Sequence, residues 1–330
     1  MAPSCTSSWG AEGNRALKAI ICQGLTKHYG DVVALDQLDL AVEEGAIFGF
    51  LGPNGAGKTT TLKILTGLGR ATGGKAWVAG EGVNPNSFSL QSKIGYLPEE
   101  PAFYAWMTAS EYLRFVGELF HMPSQEISER ISELLDLVDL EDAANRRVGG
   151  YSRGMRQRLG IAQALMNRPK VLFLDEPTSA LDPLGRAEVL SSLARLRQQA
   201  TTVFLSSHIL GDVERVCDAV GIINRGRLLI QSDIEELRQR YARPVFELEY
   251  EEAADHLVDV LKSLAWVDRV ESERTGYAFT LKVAVRDLQV AKAELPRIAA
   301  ESGLTLRRYE LAEPTLEEVF IEIMGHREHT

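Results

Sequence analysis

Hydrophobic residues in this chain follow two patterns, and the places where one gives way to the other mark its layout. Continuous apolar runs at Ala46 to Leu51, Val171 to Leu174 and Thr202 to Leu205 have the length of strands buried on both faces. Looser alternation over Lys18 to Leu25 and Val32 to Val42 predicts two more strands, and Ile94 to Leu97 reads as a strand stopped by Pro98. Helical spacing takes over at Leu62, Ile64, Leu65 and Leu68, and again at Ile127, Ile131, Leu134, Leu135 and Val138. Thr108 and Glu111 have the spacing of a capping box opening a helix that runs to Phe120. Further helices are predicted over 153–166 and 184–199, and a hairpin turns at Arg225-Gly226. Helices alternating with apolar strands predict an α/β core with a parallel sheet covered on both faces, interrupted by a helical insert at about 100–150.

Beyond Arg240 to Pro244 the pattern restarts. Strands are predicted at 245–250, 267–273, 278–283 and 305–311, with helices at 253–264, 288–302 and 316–324. This is the order of a small α+β domain of ferredoxin-like type. A length of 330 residues suits two domains, expected at 16–240 and 241–330. The small polar residues 1–15 are expected to form a disordered tail.

Composition narrows the function classes. Apolar and charged fractions of 45% and 25% are ordinary for a globular protein, and a net charge of −10 argues against a nucleic-acid partner. No apolar run has membrane-spanning length, and no N-terminal stretch has signal-peptide character. Cys5, Cys22 and Cys217 share no metal or redox spacing, which suits a reducing cytosol.

The chemistry starts at Gly52-Pro53-Asn54-Gly55-Ala56-Gly57-Lys58-Thr59, followed by Thr60. It fits G-x-x-x-x-G-K-[ST] and lies between a predicted strand and a predicted helix, the context a phosphate-binding loop requires. Glycines let the backbone wrap a polyphosphate, and the helix N-terminus offers its N–H groups. Lys58 would reach the β- and γ-phosphates, and Thr59 would bind Mg²⁺. Asp175, at the end of an apolar strand, would hold the same Mg²⁺. Strand alternation points Glu176 to the other side, where it would activate a water. Ser152 is a good N-cap, and Gly154 permits close approach of backbone to an anion.

Taken together, these residues resemble the ATP-binding subunit of an ABC transporter over about Lys18 to Glu236. The resemblance rests on an aromatic at Tyr29, the Walker A loop at 52–59, a Q-loop-like stretch at 96–100 and a signature at 151–155. Walker B at 171–176, a D-loop at Ser179-Ala180-Leu181-Asp182 and a switch histidine at His208 complete it. It implies a dimer, of identical or different ATP-binding subunits, that sandwiches two ATP molecules with Mg²⁺. Ser152 and Gly154 would touch the γ-phosphate in trans, His208 would touch it in cis, Tyr29 would stack on adenine, and Asp182 would line the interface. The chain departs from the family at Glu99, where glutamine is usual, and at Arg153 and Met155 within the signature. Glu99 can still approach Mg²⁺ but lacks the amide donor.

The resemblance implies a separate transmembrane permease and a peripheral place on the cytoplasmic face of the membrane. Aromatics at 103, 104, 106 and 112 are the expected docking surface, and Arg146-Arg147 the expected coupling point. Ala312-Glu313-Pro314-Thr315-Leu316-Glu317-Glu318-Val319-Phe320 is similar to the tails of subunits serving drug, antibiotic, lipid or ion exporters. The alternative is a soluble ABC-type ATPase acting on ribosomes or DNA. The chain carries a single Walker A loop and no sustained heptads, whereas those relatives carry paired halves or long coiled coils.

Overall fold

The computed structural model describes residues 18–85, 87–197, 201–241, 244–275, 278–312 and 315–325. The tail expected at 1–15 and Glu313-Pro314 of the C-terminal motif lie outside the described residues. The chain divides into two compact units, 1–234 and 235–330; the sequence placed the boundary at 240/241.

The first unit holds β1 (Lys18–Tyr29), β2 (Val32–Glu43), β3 (Ile47–Leu51), α1 (Lys58–Leu65), β4 (Gly73–Val78), β5 (Glu81–Gly82), α2 (Phe88–Gln91) and β6 (Ile94–Leu97). The insert contributes α3 (Ala109–Leu119) and α4 (Ser124–Leu137). Then come α5 (Arg153–Ala164), β7 (Val171–Asp175), α6 (Pro183–Leu196), β8 (Thr202–Ser207), α7 (Leu210–Val216), β9 (Ala219–Asn224) and β10 (Arg227–Asp233). Two sheets result. One runs β10-β9-β3-β8-β7-β6 with every neighbour parallel except the β9–β10 hairpin; the other is antiparallel, β2-β1-β4-β5.

The expected parallel sheet is present, and the antiparallel sheet is an addition to it. β3, β7 and β8 are buried at every position, as strands covered on both faces must be. In β2, by contrast, Leu38, Leu40 and Val42 are buried while Gln37, Asp39 and Glu43 are not. That alternation suits a sheet with one wet face. Its dry face shares a core with α1 and the parallel sheet, joining Leu25, Leu35, Leu38, Leu62, Leu65, Phe50 and Phe173. Each fully buried side chain of this size contributes roughly 1.5–3 kcal/mol. The helix that begins with Lys58 is therefore gripped from two sides. β8 lies between β3 and β7, and Phe204 packs on Phe48, Phe50 and Phe173 at 5.3–5.7 Å between ring centroids.

The helical insert is fastened to the core by arginines. Helix α4 ends without intrahelical partners for its last carbonyls. Arg158 of α5 donates to Val138 O (2.7 Å) and Asp139 O (2.8 Å), and Arg195 of α6 donates to Asp136 O (2.7 Å). The expected capping box of α3 is present: Thr108 N donates to Glu111 Oε2 and Glu111 N to Thr108 Oγ1.

The second unit holds α8 (Ile234–Tyr241), which spans the division, then β11 (Val245–Tyr250), α9 (Asp255–Lys262), β12 (Val267–Thr275), β13 (Ala278–Val285), α10 (Leu288–Glu301), β14 (Leu306–Ala312) and α11 (Leu316–Gly325). Its antiparallel sheet, β12-β13-β11-β14, gives the order of a ferredoxin-like fold. Leu248, Leu257, Leu261, Leu281, Val283 and Leu295 lie in its own core.

Candidate nucleotide site

The loop between β3 and α1 is built around glycines that no other residue could replace. Gly57 has φ 112°, and a Cβ there would stand 2.7 Å from Ala34 O. Gly57 is also the N-cap of α1, with no side-chain cap bond and no acidic residue in the first turn. The first N–H groups of the helix are thus left to an anion. They open on a cavity of about 250 Å³. Asn54, Gly55, Ala56, Gly57, Lys58, Thr59, Thr60, Glu99, Glu176, Ser179 and His208, all singled out from sequence, line it, joined by Ala34. Glu99 borders the cavity.

Beneath the cavity the charged groups interlock. Lys58 is buried; its Nζ donates to Gly52 O at 2.7 Å and lies 3.1 Å from Glu176 Oε1. Pro53 O is a further 3.4 Å contact of the same ammonium. His208 Nδ1 stands 2.8 Å from the other oxygen of Glu176, and His208 N donates to it at 3.3 Å. Because a carboxylate only accepts, this contact places the ring hydrogen on Nδ1, which donates to Glu176, and leaves Nε2 as the other nitrogen. Asp175 Oδ1 accepts from Thr59 Oγ1 (3.3 Å) and from Ser206 Oγ (2.7 Å). Burial pushes the Asp175 carboxyl above its usual value, against the bonds from Ser206 and Thr59 that pull it down.

The alternation argument fails at Glu176. β7 ends at Asp175, and Glu176 takes a left-handed backbone, φ 48°, before Pro177. That turn brings both carboxylates to the loop, Asp175 to Thr59 and Glu176 to Lys58. A residue preceding proline in this region is held by its surroundings, since the conformation is unfavourable in itself.

Other predicted residues stand elsewhere. Tyr29 ends β1, half exposed, with Lys27 Nζ 4.6 Å from its ring centroid, and is not among the lining residues. Ser152 caps α5 through its bond from Met155 N (3.2 Å) and is exposed, as is Arg153. Gly154 is buried, and a Cβ there would lie 3.3 Å from Gly185 Cα, so α5 and α6 cross closely at this glycine. Asp182 caps α6 by accepting from Gly185 N at 2.8 Å. Sequence reasoning passed over Thr178, Arg186 and Asp212. The buried Asp212 carboxylate accepts from Thr178 Oγ1 (2.6 Å) and Arg186 Nε (2.5 Å), tying α7 to the segment after Glu176 and to α6.

Residues 35–179 match the family described as ABC transporter, and residues 233–324 match the C-terminal domain described as ATP-binding protein DrrA1-3-like. Over 311 residues the chain is 38% identical to the uncharacterized ABC transporter ATP-binding protein YxlF of Bacillus subtilis (strain 168), covering 92% of this chain and 98% of that protein. This chain belongs to the ABC transporter ATP-binding proteins. It is also 36% identical over 309 residues to the daunorubicin resistance ATP-binding protein DrrA2 of Streptomyces coeruleorubidus, covering 94% of this chain and 96% of the relative. Among solved structures, the ATP-binding cassette MJ0796, a dimer in a post-hydrolysis state bound to ADP and Pi, superposes with a TM-score of 0.59. It is 25% identical and covers 65% of this chain and 98% of the cassette. ABC transporter ATP-binding proteins hydrolyse ATP to power transport, and this chain is an ATPase subunit of that kind. Among the described residues no helix is long and apolar enough to cross a membrane.

Proposed function

We propose that this ABC subunit drives an exporter of drug- or antibiotic-like cargo, as one half of a nucleotide-sandwich dimer bound to a separate permease at the cytoplasmic face of the membrane. The observation that carries the export reading is the second unit, whose residues match the C-terminal domain of DrrA-like proteins. The DrrA2 relative is named for daunorubicin resistance.

Within the site, Lys58 leaves Glu176 to bind the β- and γ-phosphates, against the N–H groups of the loop and of α1. Released from the ammonium, the Glu176 carboxylate takes the proton of the attacking water. His208, fixed through Nδ1 on Glu176, turns its other nitrogen to the γ-phosphate. Tyr29 stacks on adenine. Ser152 and Gly154 of one subunit close on the γ-phosphate of the other, with Asp182 at the interface. Closure then depends on the γ-phosphate, and hydrolysis reopens the dimer.

The residues fit Mg²⁺. The Thr59 hydroxyl and Asp175 carboxylate are hard oxygen donors already in contact, and Glu99 borders the same cavity. Bound there with ATP, the ion would neutralise charge on the phosphates.

The test is reconstitution of the chain with the permease recovered from detergent-solubilised membranes. The expected result is ATP-dependent movement of a fluorescent amphiphile in vesicles, lost with Glu176→Gln. Recovery of the chain only with ribosomes or DNA, and no vesicle transport, would overturn it.

A further inference from the structure

We infer that Ser206 is a positioning residue for hydrolysis, holding the Walker B carboxylate and the backbone of the general base in register through one buried hydroxyl. This inference rests on the roles proposed above for Asp175 and Glu176. Ser206 sits in β8, directly opposite Asp175 in the β7 pairing and Phe50 in the β3 pairing. It is fully buried. In a strand otherwise made of Thr202, Val203, Phe204, Leu205 and Ser207, a hydroxyl in so dry a place costs free energy unless its bonds are made.

They are made, and both go to the chemistry. Ser206 Oγ donates to Asp175 Oδ1 at 2.7 Å, and the same oxygen accepts from Glu176 N at 3.1 Å. Ser206 O also accepts from Glu176 N, at 3.2 Å. One residue thus takes the Glu176 N–H twice, and that N–H belongs to the left-handed backbone that turns Glu176 toward Lys58 and His208. The remaining partner of Asp175 Oδ1, Thr59 Oγ1, is longer at 3.3 Å and is the contact an ion held between the two would replace. The Ser206 bond does not depend on that exchange. It fixes the carboxylate before nucleotide arrives and keeps it fixed afterwards, which is how outer hydrogen bonds tune a metal ligand.

The experiment compares the full chain with Ser206→Ala, Glu176→Gln and Val203→Ala, the last a cavity control in the same strand. For Ser206→Ala, kcat is expected to fall about tenfold or more and the Mg²⁺ concentration for half-maximal turnover to rise about tenfold, as for loss of an outer-shell bond. Its KM for ATP should stay within about twofold, the pattern of a transition-state loss. The second readout needs no turnover: a fluorescent ATP analogue titrated in EDTA binds wild type and Ser206→Ala alike, while Mg²⁺ tightens binding less in the variant. Val203→Ala should lower the unfolding midpoint without the kcat change. If Ser206→Ala keeps wild-type kcat and Mg²⁺ response while Glu176→Gln is inactive, Ser206 has no positioning role. Loss of analogue binding in EDTA together with stability would make Ser206 a folding residue only. If Glu176→Gln itself turns over normally, the assignment of the base fails instead.

Discussion

Lys58 and Glu176 are paired across the cavity floor, Nζ to Oε1 at 3.1 Å, so the proposed phosphate-binding cation and the proposed base neutralise each other. On the proposed roles, ATP would exchange one partner of this pair for its own phosphates. The proposed base would thereby be released only when there is something to hydrolyse.

Replacing the carboxylate by an amide tests both halves of that statement. Glu176→Gln removes the base and should lower kcat by about 10³-fold or more. It also loosens Lys58, so ATP should bind more tightly, because a buried cation left with one partner fewer gains more from the phosphates. Single-turnover hydrolysis and titration with a fluorescent analogue measure the two separately. Weaker ATP binding in the variant would show that the pair does not compete with nucleotide.

Asp175 gives a pH prediction with a definite sign. Its carboxyl titrates above the usual value because of burial, so the fold holds this proton more tightly than the unfolded chain does. The stability it contributes is present below the ordinary carboxylate value and is lost as pH rises through the raised one. Asp175→Asn removes that loss. At neutral pH the variant should unfold a few degrees higher than wild type, with the gap narrowing as pH falls toward 3.8. The same change should abolish Mg²⁺-dependent turnover, and a lower midpoint at pH 7 would contradict it.

Arg158 joins three elements, because its guanidinium holds the end of α4 and pairs with Glu188 of α6 at 3.0 Å. Arg158→Met should cost about 2–4 kcal/mol by leaving buried acceptors unpaired. Urea denaturation measures the loss, and hydrogen exchange should show it first at the last turn of α4.

The two arginines before the signature separate in the structure. Arg146 donates to Gly150 O and lies 5.9 Å from the Tyr151 ring, so it is part of the loop's own fabric, whereas Arg147 meets Thr108 only by a backbone bridge. Arg147→Glu should leave ATPase within about twofold while vesicle transport falls, as for a rim charge acting on a partner. Arg146→Glu should lower both. Equal transport in wild type and Arg147→Glu would remove the coupling role.

Most of the fold was legible because its strands and helices announce themselves locally. The apolar runs at β3, β7 and β8 and the helical stripe of α4 need no tertiary information. What stayed hidden depends on partners distant in sequence. The alternation in β2 was visible, but nothing in it says that its neighbours are β1 and β4's sheet rather than β3. Glu176 could not be oriented by alternation because a left-handed residue resets it. Gly154 read as an opening for anions, and its Cβ position turns out to face Gly185 on another helix. Ser206 lies just past the apolar run 202–205, and only the β7–β8 register puts it against Asp175.

The strand order has a consequence for how activity arises during folding. Lys58 follows β3, Glu99 follows β6, Glu176 follows β7 and His208 follows β8, while the sheet sets these strands in the order β3-β8-β7-β6. No contiguous stretch of chain contains the cavity. Of the parallel pairings that assemble it, β3–β8 closes the longest loop, Phe48 to Phe204, and such long-range closure is slow. A nascent chain that has emerged only as far as residue 200 has its phosphate loop but no β8 to carry His208. Nucleotide can therefore hold only the finished sheet, and by mass action it deepens the last state on the folding route rather than guiding the chain toward it.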